Sequence, residues 1–443
     1  MVLQSTARRL IHPAMDHPLS KESLAFHEAE PRGKIAVKTS KPIRTARDLA
    51  LAYSPGVAGA VEKISEDPEN AYRYTSKGNL VAVISNGSAV LGLGNRGALA
   101  SKPVMEGKAV LFKRFADIDA FDIEIDSADP DEIIRAVSLM EPTFGGINLE
   151  DIKAPECFRI EQELVEKMSI PVFHDDQHGT AVVVCAALIN ALKIAGKNWE
   201  NVSIVINGAG AAGLAVAAML RVFGVGKERL LICDSKGVIR TGRKEDVNQY
   251  KMPFASDTEK ITLADALKDA GIFIGVSKAN ILTPEMLESM ANNPIVFAMA
   301  NPDPEIDPWL AKSIRPDVII ATGRSDSPNQ INNLLCFPFI FRGALDTRSR
   351  RINDPMKLAA ARAIAAAAEK EVTAGLLEAY GLKTLSFGKD YFLPKPFDTR
   401  LLPDVASAVA GAAMESGEAK IKLDLKSYAI DLGRKAEELR GPK

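Results

Sequence analysis

The stretch Val202-Ser203-Ile204-Val205-Ile206-Asn207-Gly208-Ala209-Gly210-Ala211-Ala212-Gly213-Leu214 decides the fold class. An apolar, β-branched run reads as a strand, a glycine turn follows, and the apolar residues after it open a helix. In such a GxGxxG turn the first glycine permits the bend and the second lets a pyrophosphate approach the backbone. The third lets the helix pack on the strand, and the helix N-terminus attracts the phosphate charge. The motif alone is a weak signal, and the strand-turn-helix setting strengthens it. A second strand, RLLICD, ends in Asp234, 21 residues after Gly213, where a carboxylate can bond a ribose hydroxyl. Gly208, Gly210, Ala211, Ala212, Gly213 and Asp234 are therefore the candidate cofactor-binding residues. Asp234 alone favours NAD, whereas Ser235 and Lys236 suit the 2′-phosphate of NADP, so both coenzymes stay open.

Further apolar strands follow at GIFIGVS, IVFAMANP and VIIATG, with helical segments TLADALKDA and TPEMLESMA between them. This alternation predicts a parallel sheet with helices on both faces. Upstream, TAVVVCAALINALKIAG reads as a helix, and before His174 the pattern is mixed. RDLALAYSPGVA turns at Pro55-Gly56, just after Tyr53; NLVAVISNGSAVLGLG is expected to form two strands joined by a hairpin at Asn86-Gly87. DPDEIIRAVSLM and APECFRIEQELVEKM have helical spacing, and an Ala-rich helix and a Pro-rich loop follow Pro355. The expectation is an α/β protein. A mixed N-terminal substrate domain (1–172) precedes a Rossmann-like doubly wound parallel sheet domain (173–412) and a helical C-terminal tail (413–443).

The 443 residues carry 55 Lys+Arg against 57 Asp+Glu, a balance that gives no basic footprint for nucleic acid or anionic lipid. No apolar run is expected to reach the roughly 20 residues needed to span a bilayer. The cysteines, Cys157, Cys185, Cys233 and Cys336, lack CxxC spacing and sit in apolar stretches, which suits a reduced, cytoplasmic setting. The opening MVLQSTARRLIHPAMDH has no long apolar core, so a secretory signal is not expected.

Two acidic pairs stand out, Glu150-Asp151 after GGINL and Asp175-Asp176 within FHDDQHGT. For either pair alone a solvated turn is the commoner reading. Both follow apparent strand ends beside a dinucleotide domain, and together they make a candidate site for Mg²⁺ or Mn²⁺, which prefer carboxylate oxygens. His174 and His178 read as groups that orient these carboxylates or cap the next helix, because no further His or Cys has zinc-ligand spacing. Lys102 and Lys108 are both candidates for a base, and the residues by themselves do not choose between them; Tyr53 reads equally as packing or as an exposed acid.

The motifs ALAYSPGVA, AVISNGSAVLGLGN, KPVMEGKAVLFK, INLEDIKAPECF, FHDDQHGTA, VINGAGAAG, MANPDPE and GRSDSPNQINN, in this order, resemble the bacterial malic enzymes from about Ser23 to Ser416. The resemblance is to the malic-enzyme portion of forms fused to a phosphotransacetylase-like domain. This chain, without that domain, is expected to be a short form or a part of a longer one. The resemblance implies metal-dependent oxidative decarboxylation of malate with NAD or NADP, in a homodimer or higher homo-oligomer. It implies that Tyr53 is the general acid and Lys108 the general base. Glu150, Asp151 and Asp176 would be metal ligands, with Asp175 supporting, and Asn301, Asn332 and Asn333 would contact substrate carboxylate and nicotinamide. Many larger relatives place an Arg two residues before LGLG; here that position is Ala89, which leaves Arg96 as the candidate anion partner. A metal-independent amino-acid dehydrogenase and a catalytically silent NAD(P)-binding regulator are the alternative readings.

Overall fold

The computed structural model describes residues 19–90 and 93–440. Residues 1–41 form one unit, in which the helix Ser20–Glu28 is followed by an irregular segment. Residues 42–443 form the other, built on two sheets.

The first sheet has four parallel strands in the order β2-β1-β3-β4, with β1 Leu80–Ser85, β2 Asp119–Glu124, β3 Gly146–Leu149 and β4 Val172–His174. Every residue of β1 is buried. Val81 and Val83 face one core, and Leu80, Ala82 and Ile84 the other, as the two-residue period of a strand requires. Strand β4 reaches His174, so the division expected at 172/173 falls inside it.

The hairpin expected at Asn86-Gly87 does not form. Strand β1 has parallel neighbours on both sides, and the chain leaves it in a loop. The Asn86 Oδ1 accepts bonds from the backbone and hydroxyl of Ser88, which makes a local turn. Gly87 has φ +65°, and a β-carbon there would stand 2.1 Å from the carbonyl oxygen of Gly97. Its glycine serves a close crossing of backbones and not a hairpin. Leu91 and Gly92 of the LGLG segment lie outside the described residues.

The second sheet has the order β10-β9-β8-β5-β6-β7. Its strands are β5 Ile204–Asn207, β6 Leu230–Asp234, β7 Gly237–Val238, β8 Ile272–Gly275, β9 Ile295–Ala298 and β10 Ile319–Thr322, and all are parallel except β7. The chain builds to one side of β5 and then to the other. The open end of β5 is thus the switch point at which ligands of such sheets bind.

The helix Asp175–Ala195 joins the sheets. By length and composition it is apolar enough to cross a membrane, contrary to the count of short runs in the sequence. Here it is a core helix, packed against the helices Ala211–Val222 and Asp354–Glu369. One hydrophobic cluster runs through it from Val81 and Phe112 of the first half to Ile204 and Ile272 of the second. The C-terminal helices fold back over the first sheet. Phe337 and Phe341 of the helix Phe337–Asp346 meet Phe112 edge-on, with ring centres at 4.8 and 5.3 Å. Arg114 donates to the carbonyls of Leu439 and Arg440 at the end of the helix Leu425–Arg440.

Candidate active site

Strands β3 and β4 are hydrogen-bonded and parallel, so the residues after them emerge side by side. This topology brings Glu150-Asp151 and Asp175-Asp176 together from distant places in the sequence. One ligand oxygen each from Glu150, Asp151 and Asp176 lies within 4.8 Å of the others. Asp151 adopts a left-handed backbone (φ +53°), and its N–H donates to Asp176 Oδ2 at 2.8 Å. That bond fixes one Asp176 oxygen and leaves the other to face its neighbours.

Lys108, on the helix Ala98–Ala116, is only 7% exposed. Its ammonium lies 2.7 Å from Asp175 Oδ2, 2.9 Å from Glu150 Oε1 and 4.2 Å from the centre of the Phe337 ring. Burial alone would lower its pKa, but Asp175, Glu150 and Asp176 outweigh burial and hold it above the ordinary lysine value. The carboxylates shift upward in turn. Burial raises Asp175 to about 6 against the pull of Lys108. Burial also raises Glu150 and Asp176, each reinforced by a like-charged neighbour. Glu150, Asp175 and Asp176 thus act on one ammonium, and the all-oxygen set of Glu150, Asp151 and Asp176 fits a hard divalent cation, which would offset the excess negative charge.

Three residues that the sequence did not single out shape this cluster. Asn148, fully buried on β3, donates to Glu150 Oε2 at 3.0 Å. Gly179 makes room for Asp175, since a β-carbon there would stand 1.8 Å from Asp175 Oδ1. Glu161 accepts from the His174 backbone at 2.8 Å and lies 2.9 Å from His178 Nε2. His174 Nδ1 in turn accepts from Gln177 N and caps the helix Asp175–Ala195.

The other candidates divide. Asn333 lies against the acidic helix, its β-carbon 3.1 Å from the position a Gly179 side chain would take. Asn332 Oδ1 caps the 3₁₀ turn Asn333–Leu335, and Asn301 is exposed beside Gly323. The Ala89 N–H donates to the Asp151 carbonyl, and Arg96 is exposed on the loop that closes onto Gly87. Lys102 pairs with Asp122 and Glu124 at the far edge of the sheet, away from the cluster. Tyr53 ends the helix Ala46–Ala52 and is 71% exposed.

At the second sheet, Gly208 has φ +125° and a β-carbon there would meet the Val276 carbonyl at 2.5 Å. At Gly213 a β-carbon would stand 1.8 Å from the Gly208 carbonyl oxygen, so strand and helix meet at van der Waals distance only because both are glycine. The space over Gly210 is open, and the helix Ala211–Val222 starts without a side-chain cap, with Ala211 and Ala212 in its first turn. Ala211 also packs against the core of the first sheet, which sets the glycine turn beside the acidic cluster's strands.

Asp234 ends β6, but its carboxylate is already engaged. Arg243 grips both oxygens, and Lys251 Nζ and the Lys236 N–H each lie at 2.9 Å. Burial raises the Asp234 carboxyl, and these bonds outweigh it and lower its pKa. Ser235 and Lys236 stay exposed at the turn.

The chain is similar to known proteins over most of its length. The family description "Malic enzyme, N-terminal domain" matches residues 32–165, and "Malic enzyme, NAD binding domain" matches 177–378. The NADP-dependent malic enzyme of Halomonas elongata is 59% identical over 398 residues, covering 90% of this chain and 94% of that protein. The NADP-dependent malic enzyme of Escherichia coli is 58% identical over 406 residues; the match covers 91% of this chain but 54% of that protein, so the chain spans about half of its length. Among solved structures, the malic enzyme of Pyrococcus horikoshii superposes with a TM-score of 0.87 at 42% identity, covering 95% of this chain and 96% of that one.

Proposed function

This chain belongs to the malic enzyme family, and from that premise we propose that it catalyses the divalent-cation-dependent oxidative decarboxylation of (S)-malate to pyruvate and CO₂ with reduction of NADP. The observation that carries the reading is the junction of buried Lys108 with Glu150, Asp151, Asp175 and Asp176, beside an uncapped glycine-rich helix start. A metal-independent amino-acid dehydrogenase would have no use for so many converging carboxylates.

Glu150, Asp151 and Asp176 would hold Mg²⁺ or Mn²⁺. Such a cation would supply Lewis-acid polarisation at the C2 oxygen of malate and would offset the carboxylates that hold the Lys108 pKa up. Lys108 takes the C2 hydroxyl proton; Gly208, Gly210, Ala211, Ala212 and Gly213 would hold NADP, which would supply the hydride acceptor. Asp175 and Asn148 keep Lys108 and Glu150 in register. Loss of CO₂ from the resulting keto acid leaves an enol form of pyruvate, and Tyr53 gives C3 its proton. Asn301, Asn332 and Asn333 orient the carboxylate and nicotinamide, with Arg96 as the further anion partner.

The preference for NADP rests on the charge at the β6 turn. With Asp234 neutralised by Arg243 and Lys251, no free carboxylate remains to repel a 2′-phosphate, and exposed Ser235 and Lys236 supply donors. The likeness to about half of the E. coli protein accords with the malic-enzyme portion of forms fused to a phosphotransacetylase-like domain. All four cysteines are buried and unpaired, which suits a reducing compartment such as the cytoplasm. A steady-state assay with malate, Mn²⁺ and each coenzyme tests the whole reading. Absence of turnover, or full turnover after EDTA treatment, would overturn it.

A further inference from the structure

Glu305 closes the motif MANPDPE and takes no part in the proton or metal chemistry of the site. It is fully buried, at the end of the second sheet where β8 and β9 give way to loops. Its Oε1 accepts from the Ser277 N–H and its Oε2 from the Ala300 N–H, each at 3.0 Å. Gly275 and Ala298, the last residues of β8 and β9, stand opposite each other in parallel register, so Ser277 and Ala300 occupy equivalent places in the two loops. One carboxylate therefore bridges both. Burial pushes its carboxyl above the ordinary value, and the backbone bonds to Ala300 and Ser277 oppose that shift. A carboxylate sunk this deep on backbone donors is costly, and an apolar side chain would fill the same space without that cost.

The surroundings are cut to fit it. A β-carbon on Gly275 would stand 2.3 Å from Glu305 Cδ, so the last residue of β8 has to be glycine for the carboxylate to lie there. The main chain of the same segment closes over the β8 loop, with the Asn280 and Leu282 N–H groups donating to the carbonyls of Pro304 and Glu305 at 3.0 Å. From Ser277 the contact continues toward the glycine turn: its hydroxyl accepts from Asn207 Nδ2 at 2.6 Å, and Asn207 is the last residue of β5, next to Gly208. On the other arm, Ala300 leads directly into Asn301.

We propose that Glu305 is the positioning residue for the nicotinamide half of the coenzyme: its two oxygens clamp the β8 and β9 loops at one separation and so hold Ser277 and Asn301 in place around the ring. The inference rests on the reading of the second sheet as the coenzyme site, and it divides that site in two. The β6 turn, with Ser235 and Lys236, lies on the other side of β5 and serves the adenosine half without Glu305.

The test is Glu305→Gln, which keeps the shape and loses an acceptor: whichever way the amide turns, one of the two N–H groups faces an NH₂. Binding of NADPH is followed by its fluorescence. Binding of 2′,5′-ADP, which carries the adenosine 2′-phosphate without the nicotinamide, is followed by calorimetry. The variant should bind NADPH on the order of 10-fold more weakly and 2′,5′-ADP within about two-fold of the wild-type protein. Its kcat should fall on the order of 10-fold, as for a misplaced reactant. Gly275→Ala presses on the same carboxylate from the opposite side and should give the same pattern, and it carries the test if Glu305→Gln does not fold. Equal loss of both ligands would make Glu305 a prop for the whole sheet end and overturn the proposal; unchanged NADPH binding and kcat would overturn it as well. Wild-type protein that binds neither ligand would instead overturn the coenzyme reading beneath it, and the inference with it.

Discussion

Asp175 and Gly179, one helical turn apart, are fitted to each other: Asp175 Oδ1 occupies the space that any side chain at position 179 would need, 1.8 Å from where its β-carbon would stand. Helix propensity favours Ala over Gly by about 1 kcal/mol, so Gly179→Ala should help the isolated helix. In this chain it must move the Asp175 carboxylate and break its 2.7 Å bond to Lys108. We expect kcat to drop on the order of 10-fold or more, as for a misplaced catalytic group, with helical content retained. Circular dichroism and turnover measured side by side decide it, and unchanged kcat would mean that the position of Asp175 is unimportant.

The raised carboxyl values set a pH dependence. Burial lifts Asp175 to about 6, and Glu150 and Asp176 also move up. The unfolded chain releases these protons near pH 4, so the folded chain holds more protons in the interval above. The stability contributed by these groups is full below about pH 4 and is lost as pH rises through the folded values. A cation that binds the ionised cluster should restore it. Thermal melts with saturating Mn²⁺ should show a larger gain at about pH 8 than at about pH 5, reaching about 3 °C or more. An equal gain at both, or one that survives Asp176→Asn, would contradict the assignment of these ligands.

At the coenzyme turn, Lys236→Ala should reduce kcat/KM for NADP by about 10 to 100-fold, the worth of one charge-assisted bond to phosphate. The value for NAD should be little changed. Lys236 now pairs with exposed Glu245, an ion pair that water screens, so its loss should not affect stability. If both coenzymes lose equally, the 2′-phosphate is held elsewhere.

The base and the acid should fail at different steps. Lys108→Ala should damage hydride transfer most, whereas Tyr53→Phe removes only a hydroxyl and should let keto or enol intermediates accumulate or escape. Each loss should be on the order of 10² to 10⁴-fold. Product analysis by rapid quench separates them, and normal pyruvate formation by Tyr53→Phe would reduce Tyr53 to a surface residue.

Local rules read much of this molecule and stopped at what distant residues contribute. The glycine turn, the alternating strands and helices, and the placement of both acidic pairs at strand ends depend on neighbours in sequence, and all are legible there. The Asn86-Gly87 turn misled because its backbone suits a hairpin equally well until Gly97 crosses it. Asp234 resembled a free ribose ligand because Arg243 and Lys251, which neutralise it, follow 9 and 17 residues later in a loop without periodicity. Asn148 was hidden inside an apolar strand, and Gly179 inside an apolar helix, where nothing marks a side chain as a neighbour of a carboxylate. The Pro55-Gly56 turn beside Tyr53 hinted at its exposure but left packing equally open, and the 71% exposure decides between them.

The hydrophobic cluster that runs without a break from β1 to β5 bears on how this chain melts. Two family descriptions meet between residues 165 and 177, and a reader of sequence boundaries would assign two independently folding pieces. The side chains keep no such frontier: Val81 and Phe112 belong to the same cluster as Ile204 and Ile272, with the helix Asp175–Ala195 as its spine. The boundary marks ancestry more than mechanics. Calorimetry should therefore record a single endotherm, and a protease nick in that helix should bring down both halves at once.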